Sequence, residues 1–259
     1  MGFWKSFIPQ KVNHRLMLHV YDAWSYLTFF TGEEIAEIER ENVQRLLAED
    51  SPLPEMGYIE NQKQWMNIRY GKTDMAFAGC EIMAAWNAMK ALGIRTSAYD
   101  IAGMISYFTK KGAVRGGKFG TSPLAVRRYL NENGYPVTTV RKVTTENLSE
   151  LQEKADVFIA VVYNDAFDIM AQVHTVCITK EKGGYRTHNR TGQILNTVRR
   201  AEGASLTLDH EVRTAQHPSP DKGSLSDEIT MPTLYEAVTR IREKCKPICV
   251  FGIIDTCAR

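Results

Sequence analysis

Cys80 is the residue whose position first suggests chemistry. It follows the small pair Ala78-Gly79 at the predicted start of a helix. The unpaired N–H groups and the positive end of a helix stabilise a thiolate, which is the nucleophilic form of cysteine. A cysteine in an apolar helix is also a common packing residue, so this position predicts a nucleophile only if a base lies nearby.

His174 is the predicted base. It opens a predicted strand, and a second strand returns after the turn KEKGG. If that turn is centred between Glu181 and Lys182, His174 pairs with Asn189, and Cβ atoms in such a pair lie about 4.5–5.5 Å apart. Cys, His and Asn in this order have the roles of nucleophile, base and orienting group in thiol hydrolases. Asn189 is therefore predicted to orient the imidazole, whereas a register slip of one residue would replace it by His188.

The predicted elements place helices before strands along the chain. The helices share apolar residues at helical spacing and cover 80–92, 97–109, 123–133 and 233–244. The strands are short and apolar or bounded by turn residues, and they cover 157–163, 174–179, 185–189 and 247–254. Three helices thus precede any predicted strand, and the polar segment 199–230 is predicted to be a long loop. The order favours an α+β fold, a helical part followed by an antiparallel sheet.

The first 55 residues are predicted to form a separate helical extension. They contain two apolar or amphipathic helical stretches, which the proline-containing segment SPLPEMGY then ends. Residues 56–259 are predicted to form the second unit, which contains Cys80 and His174.

Composition excludes several classes of protein. The 259 residues have 32 basic and 30 acidic side chains, a balance that argues against nucleic-acid binding. No apolar run approaches the roughly 18 residues of a membrane span, and no apolar signal segment begins the chain. Five cysteines without a secretory signal are typical of a cytoplasmic protein with reduced thiols. We therefore expect a cytoplasmic protein without membrane insertion.

Other cysteines and histidines do not form a recognisable metal pattern. The spacing of Cys245, Cys249 and Cys257 matches no zinc motif. His188, His210 and His217 have no partner at ligand spacing and are predicted to be surface residues.

Three segments of the chain resemble papain-like cysteine peptidases, and most closely the bacteriocin-processing (double-glycine leader) branch. GCEIMAAWNAMKALG resembles the nucleophile helix, HTVCITKEKGGYRTHN the strand pair from His to Asn, and GGKFGTSPLAVRRYLNENGY the intervening helix. The resemblance covers about residues 70–190. It implies a papain-like fold with an N-terminal helical extension, in which Cys80, His174 and Asn189 are catalytic and no cofactor is required.

The chain departs from this family at the oxyanion site. The family usually has a glutamine about six residues before the cysteine, whereas this sequence has Asp74, whose negative charge would repel an oxyanion. The common Cys-Gly pair is also replaced by Cys80-Glu81. Besides the backbone N–H of Cys80, the oxyanion candidates are Gln62, Gln64, Lys72, Thr73 and Asp74.

These observations predict a thiol-dependent hydrolase that cleaves a peptide or amide bond through a thioester on Cys80. The resemblance further implies a narrow cleft lined by Phe119 and Tyr163 that accepts small residues such as Gly-Gly. Three alternatives stay open: a noncatalytic papain-like module that binds a peptide in the same cleft, an acyltransferase that uses the same cysteine, and a structural domain with unrelated Cys and His.

Overall fold

A computed structural model of the protein describes residues 14–94, 96–164, 173–190, 230–242 and 245–254. The helices of this part are α1 (His14–Ser25), α2 (Gly32–Leu46), α3 (Met75–Ala78), α4 (Cys80–Ala91), α5 (Ala98–Lys111), α6 (Pro123–Glu132), α7 (Thr145–Lys154) and α8 (Leu234–Thr239). A 3₁₀ turn covers Gln62–Trp65. The strands are β1 (Arg69–Tyr70), β2 (Thr73–Asp74), β3 (Val137–Val140), β4 (Val157–Tyr163), β5 (Val173–Glu181), β6 (Gly184–His188), β7 (Thr230–Met231) and β8 (Lys246–Ile253).

Six of these strands form one antiparallel sheet. Its order is β3-β8-β4-β5-β6-β7, while β1 and β2 form a separate small hairpin. The described chain thus mixes helices with an antiparallel sheet, as the α+β class predicts. None of its helices combines the length and the apolar character that crossing a bilayer requires.

Strand β4 is buried on both faces of the sheet. Because side chains alternate along a strand, its odd-numbered residues join one apolar core and its even-numbered residues join another. The first core contains side chains of α1, α2, α4, α5 and α6, and the second contains those of α7 and α8. Burial on both faces explains why VFIAVVY is an unbroken apolar run.

The helices of the predicted extension contribute to the larger core. Leu18 and Tyr21 of α1 and Ile38 and Leu46 of α2 are buried in the same cluster as Trp86 of α4. The division of the chain at residue 55 stays a prediction.

Several predicted elements need correction. The prediction that three helices precede any strand is wrong, because the β1–β2 hairpin comes before α4. Helix α7 and strand β3 were not predicted, since TENLSELQEK and VTTV have few apolar residues. The predicted helix over 233–244 ends at Thr239 in the structure. Almost all of the predicted loop at 199–230, together with His210 and His217, lies outside the described residues.

The close packing of α7 on the sheet depends on glycine at position 252. A Cβ at Gly252 of β8 would lie 2.6 Å from Leu151 Cδ1 and 2.8 Å from Ala155 Cβ. Gly252 therefore allows α7 to cover the end of the sheet closely.

Candidate functional site

Cys80 is the first residue of α4, as the sequence predicts. Helix α3 ends at Ala78, and Gly79 joins the two helices as the N-cap of α4. A Cβ at Gly79 would lie 2.6 Å from the carbonyl oxygen of Met75, so the tight junction requires glycine. The first backbone N–H groups of an α-helix lack intrahelical acceptors, and that of Cys80 belongs to this set.

The thiol of Cys80 contacts a buried carboxyl group. Cys80 Sγ donates a hydrogen bond to Glu81 Oε2 at 3.0 Å, and Glu81 Oε1 accepts another from Thr175 Oγ1 of β5 at 3.1 Å. Glu81 is only 1% exposed, and burial raises its pKa to about 7. Burial therefore favours the protonated form of this carboxyl group far more than in an exposed glutamate.

Burial also raises the pKa of the Cys80 thiol well above its ordinary value, and the negative charge of Glu81 raises it further. The backbone N–H groups of Thr175 and Glu81 act in the opposite direction but do not outweigh these effects. Both effects oppose the stabilisation of a thiolate that the start of α4 is predicted to provide, so this state favours the thiol form of Cys80.

His174 is buried as a neutral imidazole. Burial and the nearby charge of Arg242 lower its pKa to about 3. Its Nε2 lies 3.0 Å from the backbone carbonyl oxygen of Asn189, which can only accept, so Nε2 holds the proton. Nδ1 therefore has a lone pair, and it has no hydrogen-bond partner among the described residues. An imidazole in this tautomer is a base whose free nitrogen is Nδ1.

The predicted pairing of His174 with Asn189 is wrong by two residues. The turn between β5 and β6 consists of Lys182 and Gly183, so Glu181 pairs with Gly184 and Cys177 with His188. The pair of Cys177 with His188 is the one nearest to His174 and lies three residues beyond it, and Asn189 follows the end of β6. It contacts the imidazole through its backbone carbonyl and not through its side-chain amide.

The side chain of Asn189 instead joins the 3₁₀ turn. Its Oδ1 accepts from the backbone N–H of Gln62 at 3.1 Å, and its Nδ2 donates to Gln62 Oε1 at 3.3 Å. Asn189 has φ of 61°, a left-handed conformation that asparagine tolerates better than most residues. These contacts position the carbonyl that binds His174.

Cys80 and His174 line one small cavity. Gln62, Phe77, Phe119 and Thr121 are also among its walls, whereas Tyr163 belongs to the core. The free volume is about 10 Å³, which is enough for about one water molecule. Thr175 contacts α4, while His174 pairs with Val162, whose side chain belongs to the core of the opposite face. The side chain of His174 therefore lies on the face of β5 opposite to α4 and the thiol of Cys80.

Of the five oxyanion candidates, only Gln62 lines this cavity. Its Nε2 donates to the carbonyl oxygens of Met75 and Ala76, both at 3.1 Å. Asp74 instead caps α3 by accepting from the N–H of Phe77, and Gln64 and Lys72 are exposed. Thr73 is half-buried, and its methyl group lies beside Gly117.

A partly buried cluster around Glu60 holds the backbone of Asn189. Glu60 Oε2 accepts from the backbone N–H of Asn189, while Glu60 Oε1 accepts from His188 Nδ1 at 2.7 Å and from Arg186 at 3.1 Å. Burial acts to raise the pKa of Glu60, but these partners lower it overall. His188 is fully buried, so its predicted place on the surface is wrong.

Sequence reasoning missed the roles of Glu60, Glu81 and Thr175. The charge of Glu81 beside the cysteine was visible as a departure from the family pattern. Because α4 is buried, this carboxyl group needs polar partners, and the thiol of Cys80 is one of them. Among the described residues, no group of three or more His, Cys, Asp or Glu is placed to hold a metal ion. Cys257 lies outside those residues.

Comparison with protein-family models, with curated proteins and with solved structures found no match to this chain. The resemblance to papain-like peptidases therefore depends on the three segments quoted above alone.

Proposed function

We propose that the protein is a papain-like, thiol-dependent hydrolase that cleaves a peptide or amide bond with Cys80 as nucleophile. The observation that carries this proposal is the shared cavity. Cys80, at a helix N-terminus, and His174, with a lone pair on Nδ1, both line it. A thiol, a neutral imidazole and unpaired helix N–H groups at one place are the parts that acyl transfer requires.

In the proposed reaction Cys80 Sγ attacks the carbonyl carbon while Nδ1 of His174 takes the thiol proton. The oxyanion forms beside the backbone N–H of Cys80 at the start of α4. When the C–N bond breaks, His174 returns the proton to the leaving amine and an acyl thioester remains on Cys80. Water then attacks the thioester with His174 again as base, which releases the acid and restores the thiol.

The described state is a closed form in this proposal. The thiol donates to Glu81 and not to His174, and the two side chains lie on opposite faces of β5, so both Cys80 and His174 must move before attack. Exposure of the imidazole to water in that opening would also raise its pKa from about 3, as a general base requires. A cavity of about 10 Å³ does not admit a peptide, so its walls must also separate. Phe77 and Phe119 are half-buried aromatic walls of the cavity, and displacement of either side chain would widen it.

The test is cleavage of a mixed peptide library, including peptides with Gly-Gly, followed by mass spectrometry. Wild-type protein is expected to release fragments and to show an acyl adduct on the tryptic peptide that contains Cys80. Cys80→Ala is expected to do neither, whereas Cys245→Ala, which changes a partly buried cysteine away from the cavity, should retain both. Cleavage that survives in Cys80→Ala would overturn the proposal, as would its absence in wild type under all conditions.

The second candidate is a noncatalytic module that binds a peptide in the same cleft. The raised pKa of Cys80 and its contact with Glu81 favour this candidate, since both keep the thiol protonated. Peptide binding without fragments or an acyl adduct would establish it.

A further inference from the structure

A larger pocket lies where the connection between α1 and α2 meets the segment that resembles the peptidases. Its volume is about 550 Å³, within the usual range of ligand sites. The connection between α1 and α2 forms one wall, and the β1–β2 turn and the loop after α5 form the other. The lining residues used below are Trp24, Leu27, Phe29, Lys72, Arg115 and Lys118.

One wall of this pocket is apolar and exposed. Phe29 is 88% exposed, Leu27 70% and Trp24 39%, and the three lie within six residues of the chain. Leaving large apolar side chains in water is unfavourable, and a cluster of them beside a pocket is typical of a surface that binds a partner.

The other wall is cationic. Among the described residues, Lys72, Arg115 and Lys118 have no ion pair with a carboxylate, and no acidic residue lines the pocket. The charge of Lys72 acts on Glu34, but that carboxylate is held by the backbone N–H of Thr31 at 2.7 Å. Three cations facing an apolar wall complement a ligand that is both acidic and apolar.

The β1–β2 turn and the loop after α5, which carry the three cations, are bonded to each other. The backbone N–H of Lys72 donates to the carbonyl of Gly116 at 2.8 Å, and a Cβ at Gly71 would lie 2.5 Å from that oxygen. Arg115 has φ of 50°, a left-handed conformation that costs energy for a residue with a side chain. A loop that is already ordered loses less conformational entropy when a ligand binds.

Phe119 connects this pocket to the Cys80 cavity. It lines the cavity, and its ring meets that of Trp24 edge to face with 6.3 Å between centroids. The guanidinium of Arg115 lies 5.2 Å from the centre of the same ring. A chain seated against Trp24 and Arg115 would therefore continue past Phe119 toward Cys80.

We propose that the pocket binds an acidic and apolar stretch of a polypeptide substrate, and that the residues next to this stretch reach Cys80. The delivery to Cys80 rests on the proposed function, whereas the binding does not. A concave pocket with cations on its inner wall fits side chains that enter it. An anionic lipid surface, which is flat, would engage only the exposed rim.

The test measures binding without requiring cleavage. A pooled library of ten-residue peptides, randomised over Asp, Lys, Leu, Phe, Ser and Gly, is equilibrated with immobilised protein, and bound peptides are quantified by mass spectrometry. We expect enrichment of peptides that combine Asp with Leu or Phe, depletion of those rich in Lys, and loss of the enrichment at high salt.

Arg115→Glu/Lys118→Glu is expected to weaken binding of the enriched peptides at least about tenfold, because two favourable charges become repulsive. The matched control is Lys142→Glu/Lys154→Glu, which changes the net charge equally at exposed residues before and at the end of α7. It should leave binding unchanged, and thermal unfolding must show that both variants fold.

Three results would overturn the inference: no enrichment of acidic apolar peptides, equal loss in both double variants, or binding to phosphatidylglycerol vesicles with none to the library. Failure of the proposed function alone looks different, since the peptides would then bind in a charge-dependent manner and stay uncleaved.

Discussion

His174 and His188 lie at neighbouring strand ends, yet their surroundings differ in kind. Both nitrogens of His188 are bonded, Nδ1 to Glu60 at 2.7 Å and Nε2 to Thr179 at 2.9 Å, and its ring stacks on Tyr58 at 3.9 Å. His174 has one bond, to a backbone carbonyl, and its other nitrogen has no partner in the described chain. A buried histidine with every polar atom bonded serves the fold. One with a free nitrogen beside a cavity retains the capacity for proton transfer.

The largest expected difference between the two histidines is in activity. If the proposed function holds, His174→Ala should lower kcat/KM by about 10²–10⁴-fold, the usual loss when a general base is removed. His188→Ala should lower the rate only as far as it lowers the folded fraction. Peptide cleavage measured on both variants at equal folded concentration makes the comparison, and equal losses would contradict it.

Stability should show the reverse order. His188→Ala removes two hydrogen bonds and a stacked ring and leaves Glu60 without its imidazole partner, so we expect a loss of about 3 kcal/mol. His174→Ala removes one hydrogen bond and should cost less. Urea unfolding of both variants measures the two losses in free energy of unfolding. A larger loss for His174→Ala would show that His174, and not His188, has the structural role.

Acidification should destabilise the folded protein through His174. Its pKa is about 3 in the folded chain against 6.5 ordinarily, so the unfolded chain takes up a proton that the folded chain does not. Stability therefore falls on acidification, by about 2 kcal/mol from this group between about pH 7 and about pH 4.5. Urea unfolding at both pH values should show a smaller fall in His174→Ala than in wild type. An equal fall in both proteins would refute the lowered pKa.

The two carboxylates extend the comparison. Glu60 bonds His188, whereas Glu81 bonds the thiol of Cys80, and no carboxylate of the described residues bonds His174. Burial and the charge of Glu81 raise the thiol pKa, and Glu81→Gln removes the second of these causes, so alkylation of Cys80 by iodoacetamide at neutral pH should become faster. Peptide mass spectrometry follows the rate, with Cys245 in the same sample as internal control. An unchanged Cys80 rate would mean that burial alone protects the thiol.

The sequence was sufficient for elements with a strong local signal. The start of α4 at Cys80, the Ser122-Pro123 start of α6 and the apolar strand β4 all agree with prediction, because glycine, proline and runs of apolar residues act on the backbone of their own segment. Helix α7 was missed although Thr144 caps it and Leu148 and Leu151 are buried. Its other residues are polar, so only the two buried leucines and the cap could have indicated it.

The contacts of the site were harder to predict. The hairpin register depends on the position of the turn. The turn residues are Lys182 and Gly183, so the centre lies one residue later than predicted and every residue of β5 pairs with a residue two positions later. The roles of Asn189 and Glu81 follow from tertiary contacts with Gln62 and Thr175, which lie far away in sequence. Spacing along the chain contains no information on such contacts.

The strand order has a consequence for how the protein is made. Strand β8, the last described strand, lies between β3 and β4, which are synthesised long before it. Until β8 leaves the ribosome, one edge of β4 has no neighbour, and an unpaired apolar strand is prone to pair with another chain. We therefore expect nascent chains that lack β8 to depend on chaperones, and the central sheet to close only after translation has passed Ile253.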